Sequence, residues 1–238
     1  MTDTEARLEV VGVTKSFETG TKRLDVLRGI DMTVGAGEIV AIVGPSGVGK
    51  STLLHIMGAL DRPTTGSVTI DGVNVFALPG RDVAAFRNRA VGFVFQFHHL
   101  MRELTALENV MMPCLIAGRS RVDAVSRAEE LLGRVGLSER ADHRPGELSG
   151  GEEQRVAVAR ALAADPLVIL ADEPSGNLDR AGSEGLHDLI WELRDAYGQT
   201  FVIVTHNSSL SERADRVVTL EDGLIVGARE ETSRVAAV

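Results

Sequence analysis

Cysteine is almost absent: Cys114 stands alone in 238 residues. No internal disulfide can form, and a reducing, cytosolic setting fits. Aromatic residues make up only 4%, so the core must be packed from Val, Leu, Ile and Ala. No stretch approaches the roughly 20 apolar residues that a membrane helix needs. Any membrane span would have to come from another chain. The opening MTDTEARLEV is acidic and has no apolar run of the secretory kind, which predicts a chain that is not exported. Positive charge is short as well. The formal net charge of −9 argues against general nucleic-acid binding, which needs a basic face. Lys15, Lys22 and Lys50 are the only lysines among 25 basic residues.

What remains is ordinary globular composition, 44% apolar and 25% charged. The length allows one large domain or a core with an inserted lobe. LEVVGVTKSF, LDVLRGIDMTVGAG and SVTIDGVNV read as β segments bounded by turns. EIVAIVG is nearly continuous in apolar residues, as a strand buried on both faces would be. KSTLLHIMGAL follows it as a helix. Between about 81 and 162, helical patterns dominate: RDVAAFRNRA, TALENVMMPCLIAG, RVDAVSRAEELLGRVGL and GGEEQRVAVARALAA. LVILAD, TFVIVTH and DRVVTLEDG then return as strands, with SEGLHDLIWELRDAY as a helix among them. Helices separate the segments 38–43, 167–171 and 200–204, which predicts parallel pairing. The tail ETSRVAAV is expected to fray.

Three motifs carry chemistry. GPSGVGKS, Gly44 to Ser51, has the phosphate-loop spacing between a strand and a helix. Its glycines let backbone N–H groups approach phosphate, and the helix N-terminus adds partial positive charge. Lys50 would reach the outer phosphates and Ser51 would ligate Mg²⁺. VILADE ends a strand in Asp172 and Glu173. Such a carboxylate can hold Mg²⁺, and the next can polarise an attacking water. LSGGEEQR places Ser149 and Glu152 as a capping box. Two glycines in a first helical turn are costly, and that cost makes sense if N–H groups must lie against phosphate.

Phosphate loop, Gln96, LSGGE, VILADE, SGNLD and His206, in that order, resemble the nucleotide-binding subunits of ABC transporters from Phe17 to about residue 225. The resemblance implies an α/β fold of the phosphate-loop NTPase, RecA-like kind with an antiparallel β subdomain and an inserted α-helical subdomain. It implies a single domain over 1–238, with 1–92 and 163–238 as core and about 93–162 as the helical part. It implies ATP and Mg²⁺ as cofactors. Phe17 would stack on adenine, and Gly44, Pro45, Ser46, Gly47, Val48, Gly49, Lys50, Ser51 and Thr52 would hold the phosphates. Gln96 would sense the γ-phosphate and ligate Mg²⁺ together with Ser51 and Asp172. Ser149, Gly150, Gly151 and Glu152 would meet the ATP of the opposite subunit. Glu173 would be the general base, with His206 and Lys50 completing the catalytic group. Asp179 would communicate across a homodimer.

Within that family, QFHHL, TALENV, Met112-Pro113 and HRPGELSGGE resemble the lipoprotein-releasing branch. The macrolide-exporting and cell-division branches share the plan less closely. Membrane-spanning permeases are the implied partners, met through residues of about 96–112, with the chain peripheral on the cytoplasmic face of the inner membrane. Two positions depart from the family pattern: Glu153 stands where Arg or Gln is common, and Met101-Arg102 where Leu-Pro is usual. His98 and His99 read poorly as a metal pair, because adjacent side chains diverge on helix or strand. The stretch reads as a docking surface, with Leu100, Met101, Leu104 and Leu107 offering apolar contact and Glu103 and Glu108 offering charge.

Overall fold

A computed structural model describes residues 6–20 and 22–230; the expected fraying of 231–238 lies outside them. In chain order the first elements are β1 (Ala6–Thr19), β2 (Lys22–Gly35), β3 (Ile39–Val43), α1 (Lys50–Met57), β4 (Thr65–Ile70) and β5 (Val73–Asn74). The middle holds α2 (Gly80–Ala90), β6 (Val91–Phe95), α3 (Ala106–Ile116), α4 (Arg121–Arg134), α5 (Gly150–Leu162) and β7 (Val168–Asp172). The rest is α6 (Arg180–Tyr197), β8 (Thr200–Val204), α7 (Ser208–Ser211), β9 (Arg216–Glu221) and β10 (Leu224–Glu230). No helix among the described residues is long and apolar enough to cross a membrane. Among the described residues the chain forms two compact units, named by sequence position alone: an inner one of Leu78–Gln199 and an outer one drawn from residues 6–77 and 200–230.

The outer unit contains an antiparallel sheet in the order β2-β1-β4-β5. It also contains β3, which pairs in parallel with β8 on one side and β9 on the other. β10 pairs antiparallel with β9. All five residues of β8 and the first four of β3 are buried. Such strands carry Val, Ile, Phe and Ala on both faces because water reaches neither. Each large side chain so buried contributes about 1.5–3 kcal/mol.

The inner unit is built on β6 and β7, paired in parallel. The sequence pattern suggested helix through this region, and β6 is a strand it did not separate. VGFVF is too short to show a period, and its pairing is supplied by β7, far away in sequence. Gly92 explains how β6 sits: a Cβ there would lie 2.4 Å from the backbone oxygen of Ala161 in α5. Only glycine lets helix and strand approach this closely. α6 buries Leu186, Leu189, Ile190 and Leu193, the i, i+3, i+4, i+7 stripe of an amphipathic helix. It starts at Arg180, earlier than its apolar pattern, because Asp179 caps it by accepting a hydrogen bond from Gly182 N at 2.8 Å.

Candidate nucleotide site

Parallel pairing decides where the motif residues emerge. In the outer unit Ile42 is the register partner of Val204. The chain therefore leaves β3 into the phosphate loop and leaves β8 toward His206 at the same sheet edge. In the inner unit Phe95 is the register partner of Asp172. Gln96 and Glu173 then follow at the ends of adjacent strands. Ligands of open parallel sheets gather at these carboxyl ends.

The phosphate loop is held by glycines. A Cβ on Gly44 would come within 2.2 Å of the Leu220 carbonyl oxygen, and one on Gly49 would press on Val26 and Leu27 at 3.0 Å. Gly49 has φ of 107° and opens α1, whose first turn carries no acid. Lys50 folds back over the loop, and its ammonium donates to the carbonyls of Gly44 at 2.8 Å and Pro45 at 2.9 Å. Pro45, Ser46, Gly47 and Ser51 are exposed, while Val48 and Thr52 are half-buried. Phe17, on β1, is 40% exposed, and Lys15 Nζ lies 4.9 Å from its ring centre. His206 is exposed beyond the buried β8.

The inner unit holds the remaining motif residues. Glu173 has φ of 45°, a left-handed conformation unusual for a side chain of its size. Its carbonyl accepts from Gly176 N at 3.0 Å, closing a tight turn after β7. Gln96 Nε2 donates to Asn177 Oδ1 at 3.0 Å, and Asn177 Nδ2 donates to the Gln96 carbonyl at 2.9 Å. Gln154 of α5 is fully buried and donates to the Phe95 carbonyl at 3.2 Å. Asn177 and Gln154 were not singled out from the sequence. Both lie inside quoted motifs, but an amide reveals its partner only once the fold is known.

Ser149 caps α5 as its motif predicts. Its hydroxyl accepts from Glu152 N at 3.3 Å, and its backbone N donates to Glu152 Oε2 at 2.8 Å. Arg140 Nε adds a bond to Glu152 Oε1 at 3.0 Å. The Ser149 backbone N–H, the Ser149 hydroxyl and Arg140, in that order, pull the Glu152 carboxyl down to about 2. Nothing stands within 4 Å of where a Cβ on Gly150 or Gly151 would be, so no neighbouring side chain or backbone crowds the first two residues of α5.

The double histidine has a structural explanation. Arg160 of α5 donates to the carbonyls of His98 and His99, both at 2.7 Å. His98 Nδ1 lies 3.0 Å from Glu153 Oε2. His99, at φ of 49°, sets its ring edge-on against Phe95, with centroids 5.2 Å apart. Among the described residues no group of three or more His, Cys, Asp or Glu could hold a metal ion. An open groove of about 780 Å³ does run beside this stretch, lined by Phe97, Leu100, Arg102, Arg144 and Glu147 among others. Of the apolar residues expected there, only Leu100 lines it. Glu108 is occupied in capping α3, accepting from Thr105 N at 3.0 Å. Phe97, 67% exposed, is the apolar residue the sequence did not single out.

Ser51, Gln96 and Asp172 offer hydroxyl, amide and carboxylate oxygens, the hard donors Mg²⁺ prefers. Ser51 belongs to the outer unit; Gln96 and Asp172 belong to the inner one.

Comparison with known proteins agrees with this geometry. The sequence profile of the ABC transporter family matches residues 27–176. The lipoprotein-releasing system ATP-binding protein LolD of Geobacter metallireducens is 58% identical over 92% of this chain and 97% of its own. LolD of Bacteroides fragilis is 56% identical over 92% of this chain and 100% of its own. Among solved structures, a dimeric ATP-binding cassette in a post-hydrolysis state with ADP and phosphate superposes with a TM-score of 0.87 at 38% identity, covering 95% of this chain and 99% of that one. A phosphate loop on β3, acids at the end of β7, a capped LSGGE helix and likeness along nearly the whole length lead to one conclusion: the chain belongs to the ABC transporter family.

Proposed function

We propose that this chain is the ATP-hydrolysing subunit of a membrane complex that releases lipoproteins from the inner membrane. The observation that carries the reading is likeness to LolD along nearly the full length of both chains, joined to an intact set of phosphate motifs. Two copies would close on two ATP molecules. The phosphate loop of each copy, Gly44 to Thr52, would face Ser149, Gly150, Gly151 and Glu152 of the other. The solved cassettes of similar fold are dimeric, which supports the pairing of two copies.

Each residue's part follows from its chemistry. Phe17 offers an aromatic face to adenine. Lys50 exchanges the carbonyls of Gly44 and Pro45 for phosphate oxygens, trading neutral partners for charged ones. The glycine N–H groups at the start of α5 receive the γ-phosphate across the dimer. Mg²⁺ would be held by Ser51, Gln96 and Asp172 and would neutralise charge on the phosphates. Glu173, at its strained turn, accepts the proton of the attacking water, and His206 holds that water and the γ-phosphate. Asp179 lies at the dimer seam. Most of the rate gain is positioning and electrostatics on the transferring phosphoryl group.

The groove beside His98 would receive a cytoplasmic helix of a LolC- or LolE-like permease, placing this chain on the cytoplasmic face of the membrane. Phe97 and Leu100 supply its apolar contacts; Arg102, Arg144 and Glu147 set charge preference. The test is Glu173→Gln. Removal of a general base costs about 10²–10⁴-fold in rate. The variant should bind ATP, hydrolyse it at least about a hundredfold more slowly, and accumulate as a dimer. Wild-type turnover would reject Glu173 as the base. Reconstitution with the permeases in lipid vesicles should give ATP-dependent lipoprotein release; hydrolysis without release would reject the cargo assignment and favour a signalling role.

A further inference from the structure

The amide of Gln96 is held in one orientation by the loop that follows β7. Asn177 Nδ2 donates to the backbone carbonyl of Gln96 at 2.9 Å. A carbonyl can only accept, so this bond fixes which way round the Asn177 amide stands. Its oxygen must then point to the Gln96 side chain, and an oxygen can only accept. Gln96 is therefore obliged to present its NH₂ group, and it does so at 3.0 Å. The other end of the amide, Oε1, takes no hydrogen bond from the described residues. Gly176 makes the fit possible: a Cβ there would come within 3.1 Å of Gln96 Nε2 and 3.3 Å of its Cδ. Gln154 secures the adjoining Phe95 carbonyl at 3.2 Å, so the backbone that carries Gln96 is held on the α5 side as well.

We propose that Asn177 is a positioning residue that turns the Gln96 amide so that its oxygen, rather than its nitrogen, is presented to Mg²⁺. The proposal rests on the reading of Gln96 as a magnesium ligand given above. A cation is repelled by an NH₂ group and bound by an amide oxygen, so orientation decides whether Gln96 helps or hinders. Without Asn177 the amide rotates, and water competes for both ends. Asn177 also lies two residues before Asp179, the cap of α6. The same loop thus sets the Gln96 amide and begins the helix that follows.

The full-length protein is titrated with Mg²⁺ while binding of a fluorescent, non-hydrolysable ATP analogue is followed. Asn177→Ala should raise the Mg²⁺ concentration at half-maximal binding by about three- to tenfold, the effect of losing one or two exposed hydrogen bonds. Affinity for the analogue with Mg²⁺ removed by a chelator should stay unchanged. Gly176→Ala crowds the same amide with Asn177 intact and should shift the Mg²⁺ dependence in the same direction. Gln96→Ala should itself raise the requirement, and Asn177→Ala should add nothing further in that background. If Gln96→Ala leaves the Mg²⁺ dependence unchanged, the ligand role of Gln96 falls and the proposal with it. If Gln96→Ala shifts it but Asn177→Ala and Gly176→Ala do not, the ligand role stands and the positioning role is overturned. An equal shift by Asn177→Ala with and without Gln96 also overturns it.

Discussion

Lys15 Nζ stands 4.9 Å from the centre of the Phe17 ring, held there by Asp61 at 2.7 Å and the Arg62 carbonyl at 2.8 Å. One face of the ring thus carries a fixed cation, leaving the other for a planar partner. A cation–π contact contributes about 0.5–1 kcal/mol at such sites. Lys15→Met should lower affinity for an ATP analogue about two- to fivefold while affinity for tripolyphosphate, which has no base, stays level. Equal loss for both ligands in a binding titration would place the effect on the phosphate loop instead.

Arg160 ties α5 to the carbonyls of His98 and His99 with two bonds of 2.7 Å. Burial presses its guanidinium toward an easier loss of charge, yet the two carbonyls keep it partnered. Arg160→Ala leaves both acceptors without it and releases His99 from its left-handed backbone. We expect a loss of about 2 kcal/mol, read as a fall of about 4–8 °C in melting temperature. Association with the permease should weaken as well. A melting temperature within about 1 °C of the parent, well short of the expected shift, would contradict this account.

Glu152 gives a pH signature to the start of α5. Its carboxyl sits at about 2, below the ordinary 4.5. A carboxyl lowered by folding adds stability that is present above its ordinary value and lost as pH falls through the folded one. The cap should therefore persist at pH values where free glutamates are already protonated, failing only near 2. Ser149→Ala and Arg140→Ala should each raise the midpoint of the Glu152 carboxyl resonance. Neither should restore it fully, because the backbone N–H of Ser149 is the largest cause. A midpoint near 4.5 in the parent protein would dismiss the cap as the source.

Asn109 holds the loop between the histidines and α3. Its fully buried amide oxygen accepts from Met101 N at 2.8 Å, and its two amide N–H bonds are shared among the carbonyls of Met101, Leu104 and Thr105, whose oxygens lie 3.1, 3.2 and 2.9 Å from Nδ2. Asn109→Ala should cost about 2 kcal/mol or more in urea unfolding, since buried partners lose their bonds. Affinity for the ATP analogue should stay within about twofold. A large loss of nucleotide affinity would mean that this loop shapes the nucleotide site directly.

Much of the site could be read from spacing alone, because phosphate loops and capping boxes are local. Gly44 to Ser51 lies between its strand and helix, and Ser149 meets Glu152 three residues on. The less legible parts depend on partners distant in sequence. β6 is a strand because β7 pairs with it, some 75 residues later. Glu108 is the exception: it stands three residues after Thr105, the same spacing as Ser149 and Glu152, so its capping role is local although charge alone suggests a surface contact. His98 faces Glu153, and no local pattern announces a contact across 55 residues. The departure at Glu153 and the double histidine looked like separate oddities, but the fold makes them one pair. Asn177 shows the same limit: the loop SGNLD is recognisable, while the hydrogen bonds of its asparagine belong to the end of another strand.

Gly92 has a mechanical consequence. With a Cβ there only 2.4 Å from the Ala161 oxygen, α5 and β6 meet at this one point almost backbone against backbone, with no side chain on the strand to compress. Side chains yield by changing rotamer; bare backbone does not. A push on the LSGGE end of α5 thus meets a stiff joint near its far end, and the strand must move with the helix. The residue with no side chain works as a hard bearing, and its stiffness delivers displacement to the strand that ends beside Gln96.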